Sequence, residues 1–167
     1  VVSVTGETEE ILGVRCTVVQ DTVTLDGVLV EDTTDWFAQD RLGNVWYFEE
    51  IARNYENGDL ANLDGSWRAG VDGAQPGIVM RARPRAGEVY RQEFRLGDAE
   101  DLAQVLSLSG DAAVPAASCG DCVVTRDFTP LEPDLVERKF YAPGIGLILE
   151  VDLETGERVE LVEIRRE

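Results

Sequence analysis

The chain contains no histidine at all. Histidine is the commonest general acid–base in enzymes, the usual partner of a nucleophilic serine or cysteine, and the commonest metal ligand. Its absence excludes hydrolase triads that use an imidazole and removes most zinc sites. An enzyme built on this sequence would have to use carboxylates, tyrosines, a thiolate or the single lysine, Lys139.

Positive charge and long apolar runs are also scarce. The chain has 33 acidic against 15 basic residues, a net charge of -18. Such a surface repels nucleic-acid phosphates and anionic membranes, so we expect no nucleic-acid partner. No apolar run reaches about 18 residues, so we also expect no membrane-spanning helix. Because neither a methionine nor a signal peptide opens the chain, a leader or tag is expected to have been removed.

Only three cysteines are present. Two form the motif Cys119-Gly120-Asp121-Cys122, and the third is Cys16. A redox motif of this type needs a helix N-terminus, whereas this one enters a run of β-forming residues, and a four-cysteine zinc site lacks its second pair. A structural disulfide in an exported protein is the better interpretation. The bridge is either Cys16 to Cys122, which would close a large loop, or Cys119 to Cys122.

Turn dipeptides divide the sequence into short segments rich in valine, threonine, isoleucine and aromatic residues. Asp26-Gly27 and Asn57-Gly58 are two of them, and such pairs supply the positive φ angles of two-residue hairpin turns. The pattern predicts one all-β domain spanning residues 1–167, a curved antiparallel meander or half-barrel of roughly eight to ten strands with at most one short helix. Near the end, segments 123–128, 136–141 and 145–151 are predicted as consecutive strands.

The segment 99–108 is open to two interpretations. Asp98 is a suitable helix N-cap, and Leu102, Val105 and Leu106 fall at helical spacing. The alternative is a strand from Leu102 to Leu108 that leads into a turn at Val114-Pro115.

Three segments, 35–48, 114–118 and 139–148, carry a family resemblance. They include Asp35-Trp36-Phe37, Val114-Pro115-Ala116 and Lys139-Phe140-Tyr141-Ala142-Pro143-Gly144. Together they resemble an uncharacterised family of secreted β-rich bacterial and archaeal proteins. That family is similar in architecture to the LolA-like half-barrels, whose curved sheet presents a concave apolar face. The resemblance implies an extracytoplasmic location and a strand at 99–108.

Members of that family usually carry a further strand before the position equivalent to Val1. The resemblance therefore implies that this chain lacks an N-terminal strand and that its sheet has an open edge. A partner chain or a swapped strand could fill such an edge.

Aromatic side chains are candidates for a ligand-binding face. They could line a concave sheet toward an apolar small molecule or a sugar, although strands also use aromatics for core packing. The candidates are Trp36, Trp46, Trp67, Tyr90, Phe94 and Tyr141.

Carboxylates are candidates for a calcium site. Asp98, Glu100 and Asp101 lie close together in sequence, and hard cations bind several oxygens at once. Their spacing does not match an EF-hand, and in so acidic a chain such clusters arise by chance. We expect no other cofactor.

Three functional hypotheses follow from these observations. The first is a non-enzymatic extracytoplasmic domain that binds an apolar ligand or a partner segment on a concave sheet face. The second is a structural or assembly subunit that pairs with another chain through an open sheet edge. The third is a carboxylate-dependent enzyme, which requires two acidic side chains facing one another in a cleft.

Overall fold

The computed structural model describes residues 1–165 and confirms an all-β, antiparallel fold. Segment 99–108 forms no helix; most of it lies in a strand. That part of the chain also holds no helix long and apolar enough to cross a membrane. Residues 1–165 form fourteen strands, more than the roughly eight to ten predicted, because five of them are only two to four residues long. The strands are β1 (Val2–Ile11), β2 (Val14–Leu25), β3 (Val28–Gln39), β4 (Val45–Glu56), β5 (Asp59–Asn62), β6 (Trp67–Arg68), β7 (Gln75–Met80), β8 (Val89–Arg91), β9 (Glu93–Phe94), β10 (Leu102–Val114), β11 (Ala117–Phe128), β12 (Val136–Ala142), β13 (Gly146–Asp152) and β14 (Arg158–Glu160).

The described chain forms two compact units, each built around one sheet. The first unit comprises Val1–Ala82 and Arg91–Glu100, and the second comprises Arg83–Tyr90 and the described residues from Asp101 onward. The first sheet has the order β1-β2-β3-β4-β7-β9, with β5 and β6 also paired to β4; the second has the order β14-β13-β12-β11-β10-β8. Neighbours in sequence are mostly neighbours in the sheet, as in the predicted meander. That residues 1–167 make a single domain stays a prediction.

Two-residue turns set the register of the hairpins in the first unit. Both central residues have positive φ in Leu12-Gly13 (52° and 77°), Asp26-Gly27 (52° and 81°) and Asn57-Gly58 (53° and 87°). This is the type I′ conformation, whose twist matches that of the flanking strands. The sequence predicts the second and third turns; the first has leucine where asparagine or aspartate is usual.

The core of the first unit is one cluster of buried, mainly apolar side chains. Ile11, Cys16, Trp36, Phe48 and Trp67 are each at most 7% exposed and belong to one cluster. Burial, followed by the charges of Glu49 and Glu9, raises the pKa of the Cys16 thiol above its usual value. Cys16 is therefore an inert packing residue.

The sheet of the second unit has one apolar and one charged face. Val124, Phe140 and Leu149 are cross-strand neighbours in the apolar cluster. Because side chains alternate along a strand, the next residues in register, Thr125 and Lys139, lie on the opposite face.

The disulfide joins Cys119 to Cys122, with a Cα–Cα distance of 5.7 Å, and Cys16 is free. The predicted Cys16–Cys122 bridge is therefore corrected to its alternative. Cys119 is opposite Ala112 and Cys122 is opposite Gly110, so two residues of β11 face one residue of β10. The two cysteines thus flank a β-bulge, which brings them within bridging distance although they share a strand.

Candidate functional site

Strand β1 forms one edge of the first sheet. Within residues 1–165 its only strand partner is β2. Its first residues are open to solvent, with Val2 68% and Val4 71% exposed. The strands at the other ends of the two sheets, β9, β14 and β8, are only two or three residues long, and β5 and β6, which pair with β4 alone, have four and two residues. Because long exposed edges are templates for pairing with another chain, β1 is the strongest candidate interaction surface.

The alternation of hydrogen-bonded and non-bonded pairs between β1 and β2 shows which backbone groups of β1 face outward. The Thr22 N–H donates to the Val1 carbonyl at 3.0 Å, and Val2, Ser3 and Val4 follow in register opposite Asp21, Gln20 and Val19. Bonded and non-bonded pairs alternate along an antiparallel ladder. Ser3 is therefore bonded to β2, whereas the N–H and C=O of Val2 and Val4 point away from β2.

A bulge divides β1 into two halves. Between the pairs Val4–Val19 and Thr8–Thr17 the register slips, so that three residues of β1 are opposite Val18. The Thr5 hydroxyl donates to the Val18 carbonyl at 3.0 Å and accepts from the Glu7 N–H at 3.1 Å. The bulge thus has its own internal hydrogen bonds.

Beyond the bulge, the alternation is set by the turn at Leu12-Gly13. A two-residue turn makes its flanking residues, Ile11 and Val14, a bonded pair. Because bonded and non-bonded pairs alternate, Glu10 and Thr8 belong to non-bonded pairs, and their backbone N–H and C=O groups face outward. The open edge therefore offers two short pairing segments, one at 2–4 and one at 8–10.

A second candidate is a cluster of aromatic and acidic side chains in the first unit. The Tyr47 hydroxyl donates to Asp35, and the Tyr47 ring stacks on Phe37 with centroids 4.7 Å apart. The edge of Trp67 contacts Tyr47 at 5.2 Å, and Trp67 Nε1 donates to Glu93 Oε2 at 2.6 Å. Asp35, Trp67 and Glu93 are each at most 9% exposed, so this network is enclosed in the fold.

Burial governs the ionisation of Asp35. Desolvation raises its pKa from the usual 3.8 to about 6, opposed by the hydrogen bond from Tyr47 and reinforced by Asp21 and Glu31. Because the fold favours the neutral acid, the contribution of Asp35 to stability is complete below pH 3.8 and is lost as the pH rises to about 6.

Replacing this carboxyl by its neutral isostere tests that dependence. We expect Asp35→Asn to raise the free energy of unfolding by about 2 kcal/mol near pH 8 and to change it little near pH 4, because two pKa units correspond to about 3 kcal/mol less the altered hydrogen bond. Urea denaturation across this pH range measures it, with Asp59→Asn on an exposed strand as the matched control. An equal effect at both pH values would contradict the assignment.

A third candidate is the charged face of the second unit. Lys139 Nζ lies 2.9 Å from Glu137 Oε2, 3.1 Å from Glu150 Oε2 and 3.8 Å from Asp127 Oδ2. Burial acts to lower the pKa of Lys139, but Tyr141 and the three carboxylates outweigh it and hold the pKa well above its usual value. Lys139 is therefore a fixed cation and lacks the neutral amine that a general base or Schiff base needs.

A small cavity lies beside this cluster. It measures about 20 Å³ and is lined by Asp101, Asp127, Thr129 and Glu137 together with two apolar side chains. Desolvation raises the pKa of Asp101, and Glu137 and Asp127 raise it further against the Thr129 hydrogen bond and Lys139. The volume holds about one water molecule, which is too small for an organic substrate.

The six predicted aromatic residues lie mainly in packing positions. Trp36, Trp67 and Tyr90 are at most 7% exposed. Trp46 is half-buried, and its Nε1 donates a hydrogen bond to Asp40 at 3.0 Å. This bond, together with those from Asn44, lowers the pKa of Asp40. Arg91 covers the ring of Phe94 at 4.5 Å, and Tyr141 is half-buried in the second unit. The structure brings the three tryptophans together around one core, and a ligand-binding role for the six stays a prediction.

The predicted calcium ligands have other partners. Asp98 lies 3.2 Å from Arg95, and Glu100 lies 3.9 Å from Arg91 and accepts from the Gly97 N–H at 2.9 Å. Asp101 lines the cavity of the second unit. Among residues 1–165 no group of three or more metal-binding side chains is arranged to hold an ion. Calcium binding at this triplet stays a prediction.

Strand β1 was missed from the sequence, although the alternation Val2-Ser3-Val4-Thr5 is a strand signal that would have identified it. Lys139 was singled out as the one lysine, but the carboxylates that surround it come from three strands and carry no sequence signal of their own.

Comparison of the chain with protein-family models, with curated proteins and with solved structures finds no match. The resemblance to LolA-like half-barrels therefore rests on its three sequence segments alone, and function has to be argued from the geometry of the sites.

Proposed function

We propose that this protein is a docking domain that receives an extended segment of another chain by strand addition at β1. The observation that carries the proposal is the outward direction of the Val2 and Val4 backbone groups on a long, exposed edge strand. In strand addition, main-chain hydrogen bonds supply affinity and alternate side chains supply specificity.

The energetics of the edge predict a weak contact for an isolated peptide. Val2, Val4, Thr8 and Glu10 together offer four donors and four acceptors to a peptide that pairs along both segments, and each backbone hydrogen bond contributes about 1 kcal/mol net. Association costs about 4 kcal/mol at the low end, so such a peptide is expected to bind with a dissociation constant of about 1 mM. A partner already held nearby would dock far more completely, because tethering supplies a high effective concentration.

The edge explains more of the structure than a concave ligand face does. The aromatic candidates for such a face are largely used in packing, whereas β1 leaves backbone groups and two valines open. The Cys119–Cys122 disulfide supports placing the domain outside the cytoplasm, where such bridges persist.

Proline substitution distinguishes strand addition from side-chain binding. Proline lacks the N–H, and at Val4 that N–H points outward, so Val4→Pro removes a docking donor without breaking the ladder to β2. Val4→Thr keeps the N–H and serves as the matched control. Both variants are expected to unfold within about 1 kcal/mol of the unmodified protein.

The probe is the neutral synthetic peptide QTQTQTVSVT. At a concentration of about 2 mM, we expect it to slow hydrogen exchange at the Val2 and Val4 amides about threefold, as measured by NMR. The same protection at Val2 is expected in Val4→Thr and is expected to be lost in Val4→Pro. Unchanged exchange at both amides in the unmodified protein, or full protection at Val2 in Val4→Pro, would overturn the proposal.

A further inference from the structure

We infer that the segment docking on β1 is a basic strand, with lysine or arginine beside residues 7–10 and β-branched apolar residues beside residues 2–4. This inference rests on strand addition at β1 and adds the chemistry of the partner.

From the bulge onward, β1 is acidic. Glu7 lies in the bulge and Glu9 and Glu10 follow it, and of these three only Glu9 has an ion-pair partner within residues 1–165, the Arg68 guanidinium 2.8 Å from its Oε1. The side chains of Glu7 and Glu10 are exposed. In a chain of net charge -18, two exposed carboxylates at the edge favour an incoming cation.

The other half of β1 presents two exposed valines on one face. Val2 and Val4 lie there opposite Asp21 and Val19 of β2, and Val23 follows on the same face at 42% exposure. A strand added outside β1 places alternate side chains on this same face. Apolar β-branched residues opposite Val2 and Val4 would cover them, since cross-strand apolar pairs stabilise a sheet.

A second copy of the chain fits this edge poorly. Two identical strands related by a two-fold axis pair antiparallel, which sets the apolar half of one copy against the acidic half of the other. That mismatch applies when the two strands pair over their full length. In any register, two copies would also bring together two chains that each carry a net charge of -18. A separate basic strand satisfies both halves at once.

Two charge-matched peptides test the inference. With its two valines set antiparallel beside Val4 and Val2, KTKTKTVSVT places its three lysines opposite Gly6, Thr8 and Glu10, and ETETETVSVT has the same length and apolar end. At low ionic strength we expect the lysine peptide to bind about tenfold more tightly than the glutamate peptide, by the same Val2 and Val4 exchange assay. In about 0.5 M salt the difference is expected to fall to about twofold, because screening weakens exposed charge pairs. The double variant Glu7→Gln with Glu10→Gln is expected to reduce the low-salt difference while leaving binding of QTQTQTVSVT unchanged.

The outcomes separate the two proposals. No protection by any of the three peptides would overturn strand addition itself. Equal binding of all three at low salt would leave strand addition standing and overturn the basic partner. Tighter binding of the glutamate peptide would also overturn the basic partner. Dimers formed by the protein alone and abolished by Val4→Pro would overturn it as well, and would identify a second copy of the chain as the occupant of the edge.

Discussion

Lys139→Met is expected to lower the free energy of unfolding by about 3 kcal/mol near pH 8, because removing the cation from a largely buried ion cluster leaves the facing carboxylates uncompensated. Lys139 is 22% exposed and lies among Glu137, Glu150 and Asp127 at the distances given above, and the side chain of Asp127 is only 6% exposed. Methionine keeps the length of the side chain, so the loss reports on charge more than on packing.

The pH dependence of that loss identifies its cause. Glu150 already has a raised pKa, through desolvation first and through Glu137 and Asp127 next, with Lys139 opposing them. Without Lys139 the folded-state pKa of Glu150 rises further above its unfolded value. The stability linked to the protonated form of Glu150 is complete below the unfolded pKa and is lost as the pH rises through the folded pKa, so the deficit of Lys139→Met should be smaller near pH 4.5 than near pH 8.

Two variants serve as controls for Lys139→Met in urea denaturation. Arg138→Met removes an exposed cation from the adjacent position on the other face and is expected to change stability by less than about 0.5 kcal/mol. Adding Glu150→Gln to Lys139→Met removes one uncompensated carboxylate and should restore part of the loss. A deficit that is equal at both pH values and unaffected by Glu150→Gln would show that the effect comes from packing.

Local turn chemistry explains why the fold class could be predicted. Asp26-Gly27 and Asn57-Gly58 adopt the positive φ angles that their residue types favour. The last three long strands also correspond to predicted segments, since their alternation and flanking prolines and glycines are local signals. Strands of two or three residues, such as β6 and β9, carry no periodicity of their own and exist only because longer strands lie beside them.

The segment 99–108 shows where local patterns are insufficient. Leu102, Val105 and Leu106 fit a helix, yet the fully buried residues are Ala103 and Val105, which alternate as in a strand. Their pairing with Asp127 and Thr125 of β11 decides the conformation, and this contact is distant in sequence.

The candidate site was only partly predictable for the same reason. The resemblance implies that an open edge is possible. It does not tell which backbone groups face outward, because that depends on which residue pairs of β1 and β2 are hydrogen-bonded. The choice of Cys119 as the partner of Cys122 likewise depends on a bulge, which arises from the register of β10 against β11.

Gly77→Ala is expected to destabilise the protein by about 4 kcal/mol, because overpacking against backbone atoms cannot be relieved by a rotamer change. A Cβ at Gly77 would lie 2.3 Å from the carbonyl carbon and oxygen of Gln92 and 2.7 Å from the carbonyl oxygen of Arg91. To accommodate it, β7 and β9 would have to separate. Guanidinium denaturation measures the change, and Gly120→Ala is the matched control, since its Cβ would meet nothing within 4 Å.

The same substitution has an optical signature. Strand β9 carries Glu93, which accepts the hydrogen bond from Trp67 Nε1 at 2.6 Å, and Trp67 is 3% exposed. If β9 moves away from β7, Trp67 loses its partner and gains contact with water, so Gly77→Ala should shift tryptophan emission to longer wavelength before global unfolding. Unchanged emission together with a loss below about 1 kcal/mol would contradict the close approach of β7 and β9. A large loss without the spectral shift would place the strain in the β7–β4 contact instead, because Gly77 is also the partner of Tyr47 in that pairing.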